Sequence, residues 1–274
     1  MARGADTLVT LPRWPGAVAA GLVAALTLGT LGAVIWRAEG LSGLAGPDWA
    51  AVRFTVLQAA CSAVLSVALA IPVARALARR RFPGRRAMIA LLGAPFILPV
   101  IVAILGLLAV FGRGGLVNTV LGWAGLGPVS IYGFHGVVLA HVFFNLPLAT
   151  RLILQGWAAI PAGRFRLAAT LGAPVGPVLE RPMLRAVCPG ALLVVFLICL
   201  SSFAVALTLG GGPRATTVEL AIYQSLRFDF DPGGAATLAA VQFGLCALAG
   251  LVASRWSLPD AFGAGLDRAA LRWD

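Results

Sequence analysis

The chain has 274 residues, of which 60% are hydrophobic and only 11% charged, whereas an ordinary soluble domain is about 45–50% apolar and about 25% charged. A soluble fold of this size leaves too much area in water to hide so much apolar surface, so a soluble globule is excluded and a bilayer is the fitting solvent. All 21 basic residues are Arg, against 10 acids, for a formal charge of +11; without Lys the chain carries neither a P-loop nor a Schiff-base lysine.

Six apolar runs are each long enough to span the hydrocarbon core. In chain order they are approximately Gly16–Trp36, Phe54–Arg75, Ala87–Phe111, Gly133–Gln155, Val187–Thr208 and Ala235–Ser254. Their continuity, without the alternation of barrel strands, selects helices, which satisfy their own backbone in lipid. The fold class expected is an all-α membrane protein of about six transmembrane helices. Residues 1–15 and 255–274 form tails, and residues 156–186 form the longest connection between spans. The first run follows Arg3 and Arg13, as in a signal peptide. It exceeds an h-region of about 7–15 residues and lacks a clear A-x-A site, so it reads as a retained helix.

Arg residues in the connections orient the spans. Sixteen fall on one side, among them Arg75, Arg79, Arg80, Arg81, Arg85, Arg86, Arg164, Arg166, Arg181 and Arg185. Five fall on the other: Arg37, Arg53, Arg113, Arg214 and Arg227. The asymmetry predicts both termini in the cytoplasm. Arg placed between apolar runs points to topology and the lipid bilayer, with no nucleic-acid partner. Pro95 and Pro99 predict a kink in the third span, and Pro72 and Pro147 lie inside the second and fourth.

Polar residues at membrane depth are few. On the fourth span His141 and Asn145, four apart, share a helix face. On the second, Gln58, Ser62 and Ser66 form a similar stripe. Either set lines a pathway or bonds between helices. His135 and His141 do not share a face, which disfavours a two-His metal site. Cys61, Cys188, Cys199 and Cys246 form no close pair, so packing is their expected role and neither a disulfide framework nor zinc is indicated. No Asp or Glu falls in the middle of a span, which argues against an ion-coupled carrier. With no cluster of His, Cys or acids in the spans, an enzyme active site is not expected either. Ser201, Ser202, Thr208 and Gln242 are too scattered to rank.

The connection 156–186 contains Arg166-Leu167-Ala168-Ala169-Thr170-Leu171-Gly172 and then Glu180-Arg181-Pro182. An amphipathic segment, a Gly turn and a second short segment ending at Pro would make a helix–turn–helix on the inner membrane face. This arrangement resembles the E-A-A-x-x-x-G loop of ABC-importer permeases, which docks on the ATPase subunit. Aligned on Gly172, Arg166 stands where the family has Glu, Leu167 and Ala168 stand at the two Ala positions, and Pro182 matches the closing Pro. Nine residues separate Gly172 from Pro182, fewer than in the family pattern, and Pro174 and Pro177 oppose a regular helix there. Arg79–Arg85, Leu139–Pro147 and above all Leu209–Pro232 (LGGGPRATTVELAIYQSLRFDFDP) resemble the first half of bacterial thiamine or thiamine pyrophosphate importer permeases.

The resemblance implies the ABC type I importer permease (MetI-like) fold. It implies a permease subunit that does no covalent chemistry and holds no cofactor itself. ATP and Mg would belong to a partner ABC ATPase dimer, and a periplasmic substrate-binding protein would deliver cargo. In the outer connection Gly210, Gly211 and Gly212 would turn the backbone at the membrane surface, and Glu219, Asp229 and Asp231 would receive a cation or the binding protein. Such permeases resemble two fused six-helix halves, so a second half or a second copy of this chain is expected. The chain ends at Asp274, near where a second half would begin; a natural half-size subunit and a piece of a fused permease both fit. Iron, polyamine, sulfate or phosphonate permeases are the alternative within the class, and an ATP-independent carrier or channel the alternative outside it.

Overall fold

The computed structural model describes residues 14–38, 40–210, 212 and 215–255, without the side chains of residues 96, 97, 253 and 254. The expected contact Gly211 and most of the two tails fall outside the described residues. Among those described, every regular element is helical. Six stretches are long and apolar enough to cross a membrane: Trp14–Arg37, Gly46–Arg79, Val100–Trp123, Phe134–Ala158, Gly176–Leu200 and Pro232–Val252.

Helices α1 (Trp14–Arg37) and α2 (Gly46–Arg79) are the first two spans. At 1.5 Å per residue α2 is about 51 Å long, more than the roughly 30 Å core requires, so it protrudes beyond the core. Asp48 caps its start by accepting from the Ala45 N–H at 2.7 Å. Pro72 is carried inside the helix.

The third span differs from the expected run 87–111. It is broken into α3 (Arg85–Leu91), α4 (Ala94–Ile97) and α5 (Val100–Phe111), and continues as α6 (Leu116–Trp123). Pro95 and Pro99 each lack an N–H and restrict the residue before them. Leu98, next to Pro99, is driven to extended backbone at ψ 132° and ends α4. The predicted kink is therefore a full interruption, and the long apolar stretch falls later, at 100–123.

Helix α7 (Phe134–Ala158) is the fourth span and accommodates Pro147. The chain then enters the short α8 (Ala162–Thr170), a single π turn over Gly176–Glu180, and α9 (Arg181–Leu200). The fifth span thus starts about ten residues before the expected 187. The π turn runs directly into α9, so Pro174, Pro177 and Pro182 do not bound a separate second helix. Pro177 and Pro182 sit in first turns, where a missing N–H costs little. At its far end the span stops at Leu200. The backbone leaves the helical region at Ser201 (ψ 66°) and Ser202 (ψ 71°) and resumes as α10 (Phe203–Leu209). A short α11 (Val218–Arg227) follows, and α12 (Pro232–Arg255) is the sixth span.

The core is a three-helix contact of α2, α7 and α9 made largely by small residues. Ala59, Ala63, Ala70 and Ala74 of α2 pack with Ala149 and Ile153 of α7 and Ala191 and Val195 of α9. Lipid tails are as apolar as Leu, so close backbone approach and interhelical hydrogen bonds drive such packing. Gly156 shows how close it is: a Cβ there would come within 2.8 Å of Met183 Sδ and Val187 Cγ2. Helix α1 packs against α12 and has no buried residue.

Candidate functional site

Two regions gather the polar residues singled out in the sequence. The first lies at membrane depth where α2, α7 and the interrupted fifth span meet. Helices α2 and α7 run parallel, so Phe54 meets Phe134 edge-on at 5.8 Å and Ser62 meets His141 two turns further in. Ser62 Oγ is 3.4 Å from His141 Nδ1, and His141 Nε2 pairs with Ser202 Oγ. Asn145 Nδ2 donates to the His141 carbonyl at 2.9 Å and to Cys199 Sγ at 3.4 Å. Gln58 Nε2 donates to the Cys199 carbonyl at 2.8 Å. All four predicted residues, Gln58, Ser62, His141 and Asn145, are buried and belong to one network. Gln58 and Ser62 are fully enclosed, so they hold helices together rather than line an opening.

His141 and Asn145 also face a cavity of about 280 Å³, with Phe144, Ser201, Ser202 and Phe203 in its wall. Irregular backbone at membrane depth is tolerated where it is buried in protein or lines a cavity; here the Ser201–Ser202 break does the latter. Among the described residues no charged side chain is in the lining, which offers aromatic faces and neutral hydrogen-bonding groups. It can seat an aromatic heterocycle better than a bare anion. Among the described residues no group of three or more His, Cys, Asp or Glu is placed to hold a metal, and His135, exposed, pairs with the Ser130 carbonyl instead.

Glu219 departs from expectation. It is not a surface residue of an outer loop but lies in the first turn of α11, whose N-terminus is drawn inward. Thr217 caps that helix by accepting from the Leu220 N–H, and the Val218 N–H donates to Thr55 Oγ1 of α2 at 2.9 Å. The half-buried Glu219 carboxyl is pushed above the usual range by burial, opposed by the nearby Phe203 backbone N–H. Its other side faces a cavity of about 440 Å³ between α1, α11 and α12, with Thr27, Thr30 and Gln242. Gly210 is likewise internal: a Cβ there would meet the Ala206 carbonyl at 2.4 Å and that of Ala215 at 2.7 Å, so its role is close backbone approach. Gly212, Asp229 and Asp231 are exposed. Asp231 Oδ1 accepts from the Gly234 N–H at 2.9 Å at the start of α12.

The second region is the basic face. Helix α8 turns Phe165 and Ala168 inward and leaves Arg166, Leu167 and Ala169 exposed. Leu167 is 60% and Leu171 70% exposed, an apolar ridge facing away from the core. The helix closes in a Schellman motif: the Ala173 N–H donates to Ala168 O at 2.8 Å and the Gly172 N–H to Ala169 O at 3.3 Å. Gly172 adopts φ +61°, as that motif requires. Glu180, by contrast, is buried, its Oε2 accepting from Arg75 Nε at 2.9 Å, with Arg79 3.9 Å from the other oxygen. The Arg79 guanidinium also lies 5.6 Å from the Phe165 ring. Glu180 therefore ties the π turn and α8 to the end of α2 and presents no free surface. Pro182 lines a recess of about 290 Å³ beneath α8.

Comparison with known proteins accounts for this layout. Over 192 residues the chain is 34% identical to the molybdenum transport system permease protein ModB of Mycobacterium bovis (strain ATCC BAA-935 / AF2122/97), covering 69% of this chain and 72% of that protein. Its fold matches a chain of the bacterial alginate ABC transporter at TM-score 0.69 and 14% identity, covering 89% of this chain and 93% of that one. The chain belongs to the family of transport system permease proteins. Within that class it is 45% identical over 266 residues to the thiamine transport system permease protein ThiP of Escherichia coli (strain K12), covering 93% of this chain and 50% of that protein. The corresponding protein of Brucella abortus (strain 2308) is 43% identical over 259 residues, covering 90% and 48%. The resemblance carried by Leu209–Pro232 thus extends over nearly the whole chain. The chain spans about half the length of these thiamine permeases. No protein-family model matches the sequence.

Proposed function

We propose that this chain is the membrane-spanning permease, or one half of it, of an ATP-driven, binding-protein-dependent importer for thiamine or thiamine pyrophosphate in a bacterial inner membrane. The observation that carries the cargo is the 45% identity to the thiamine permease over 93% of the chain. The 34% identity to the molybdenum permease supports the class and is weaker and shorter. The 16:5 distribution of Arg supports a cytoplasmic basic face and cytoplasmic termini.

On this reading the chain holds no cofactor and does no covalent chemistry. ATP and Mg sit on a separate ATPase dimer, a periplasmic binding protein delivers cargo, and a second permease half or second copy completes the pathway. The exposed ridge of Leu167 and Leu171 on α8, flanked by Arg166 and Ala169, docks on the ATPase. Motion of α8 passes through the Schellman turn and the Glu180–Arg75 pair to α2, and through the π turn to α9. From Gly176 to Leu200 that element carries the displacement about 36 Å, to the Ser201–Ser202 break and its cavity. Alternating access then comes from two halves rocking about this level. Exposed Asp229 and Asp231 face the binding protein.

The test is uptake of labelled thiamine in cells deleted for this chain and lacking any other thiamine importer. Uptake falls to background and returns with the gene. Undiminished uptake in the deleted strain refutes the assignment.

A further inference from the structure

Interrupting a helix inside a membrane strands backbone groups that water cannot reach. The last carbonyls of α9 and the first N–H groups of α10 have no intrahelical partner. Each orphan costs about 1–3 kcal/mol when buried in protein and more in lipid. A stable break therefore needs side chains from elsewhere to take these groups up.

They come from three other elements. Within the span itself the Leu197 carbonyl accepts from Ser201 Oγ at 3.3 Å. The Cys199 carbonyl accepts from Gln58 Nε2 of α2 at 2.8 Å, and the Leu200 carbonyl from Gln242 Nε2 of α12 at 2.9 Å. His141 of α7 pairs with the Ser202 hydroxyl. These partners lie 141, 42 and 61 residues away in sequence, so the arrangement is tertiary and not a local turn. Amide donors stand where carbonyls are stranded.

We propose that Gln58 and Gln242 are positioning residues that hold the fifth span open at Ser201–Ser202, so that both serines face the pathway cavity. That the break matters for transport rests on the permease reading above; that these two side chains maintain it does not. Without them α9 and α10 regain their own hydrogen bonds by closing into one helix, which withdraws Ser201 from the cavity. The residue type required at each position follows from the carbonyl it serves. Gln58→Met and Gln242→Met keep size but lose the amide donor, and shift the span toward closure.

The experiment labels Ser201→Cys, with the four native cysteines replaced by serine, using a small cationic methanethiosulfonate on membrane vesicles carrying the full chain. Rates are taken per inserted chain. Gln242→Met and Gln58→Met each slow labelling about fivefold or more, the lower bound for one orphaned buried group. The double variant slows it further, and thiamine uptake in the same cells falls in parallel. Equal labelling of parent and Met variants overturns the proposal. If one Met variant fails to accumulate, the other decides by the same criterion. Absent uptake in the parent, with labelling still slowed by the Met substitutions, refutes the permease reading and leaves the positioning role standing.

Discussion

Gly172 isolates a single physical term in the turn that closes α8. Its φ of +61° places it in the left-handed region, and a Cβ built on it meets nothing within 4 Å. Substitution therefore introduces no clash, and its whole cost is conformational. A non-glycine L-residue in this region costs about 1–2 kcal/mol, Asn less because its side chain bonds locally, and a β-branched residue the most. About 1–2 kcal/mol changes the equilibrium of a turn by a factor of roughly 5–30. The two hydrogen bonds of the Schellman closure, at 2.8 and 3.3 Å, are what is lost, and α8 frays from its C-terminal end. Thiamine uptake by cells carrying Gly172→Asn, Gly172→Ala and Gly172→Val should fall in that order, with the Val variant about tenfold or more below wild type. Because Gly172 is exposed and has open space around it, membrane abundance stays unchanged in all three. Full uptake in the Val variant, or an Asn variant worse than Val, refutes the argument that a left-handed turn aligns α8.

Three further outcomes follow from the packing. Ile153→Ala empties a fully buried site between α2, α7 and α9 and destabilises the chain by about 2–5 kcal/mol, seen as a lower thermal unfolding midpoint in detergent. Gly156→Leu forces α7 from α9 at Met183 and Val187, so the chain accumulates poorly, while Gly163→Leu, with open space around it, accumulates normally in the same immunoblot. Glu180→Gln removes the charge that pairs with Arg75, whose side chain is 57% exposed; stability falls by about 1 kcal/mol while co-purification of the ATPase subunit drops, because α8 loses its tie to α2.

The six crossings were legible because a run of about 20 apolar residues has one physical solution in lipid. The interruptions were less so. Pro95 and Pro99 announced a disturbance, but whether a helix kinks or stops depends on what can cover the freed carbonyls, which no local pattern records. Ser201 and Ser202 sit in an apolar stretch and read as continuous helix; the carbonyls stranded at the break are taken up by Gln58 and Gln242, which are remote in sequence. Gln242 was visible as an amide in the sixth span, and its depth alone was a signal that it bonds to another helix. Glu219 was hidden more completely. It lies in a ten-residue helix with charged ends between two spans, which reads as an outer loop until Thr55 and Thr217 fix its start inside the membrane domain. The Gly172 turn was readable from its residue type, whereas Glu180 looked like a free docking charge because Arg75, its partner, is 105 residues away.

The most direct measurement of the central claim is transport by the reconstituted assembly. The chain, together with its second half or copy, its ATPase and its binding protein, is placed in proteoliposomes, and labelled thiamine is added on the binding-protein side. The account predicts accumulation that requires ATP, is competed by unlabelled thiamine, and is untouched by molybdate. Accumulation without ATP, or competition by molybdate and not by thiamine, contradicts it.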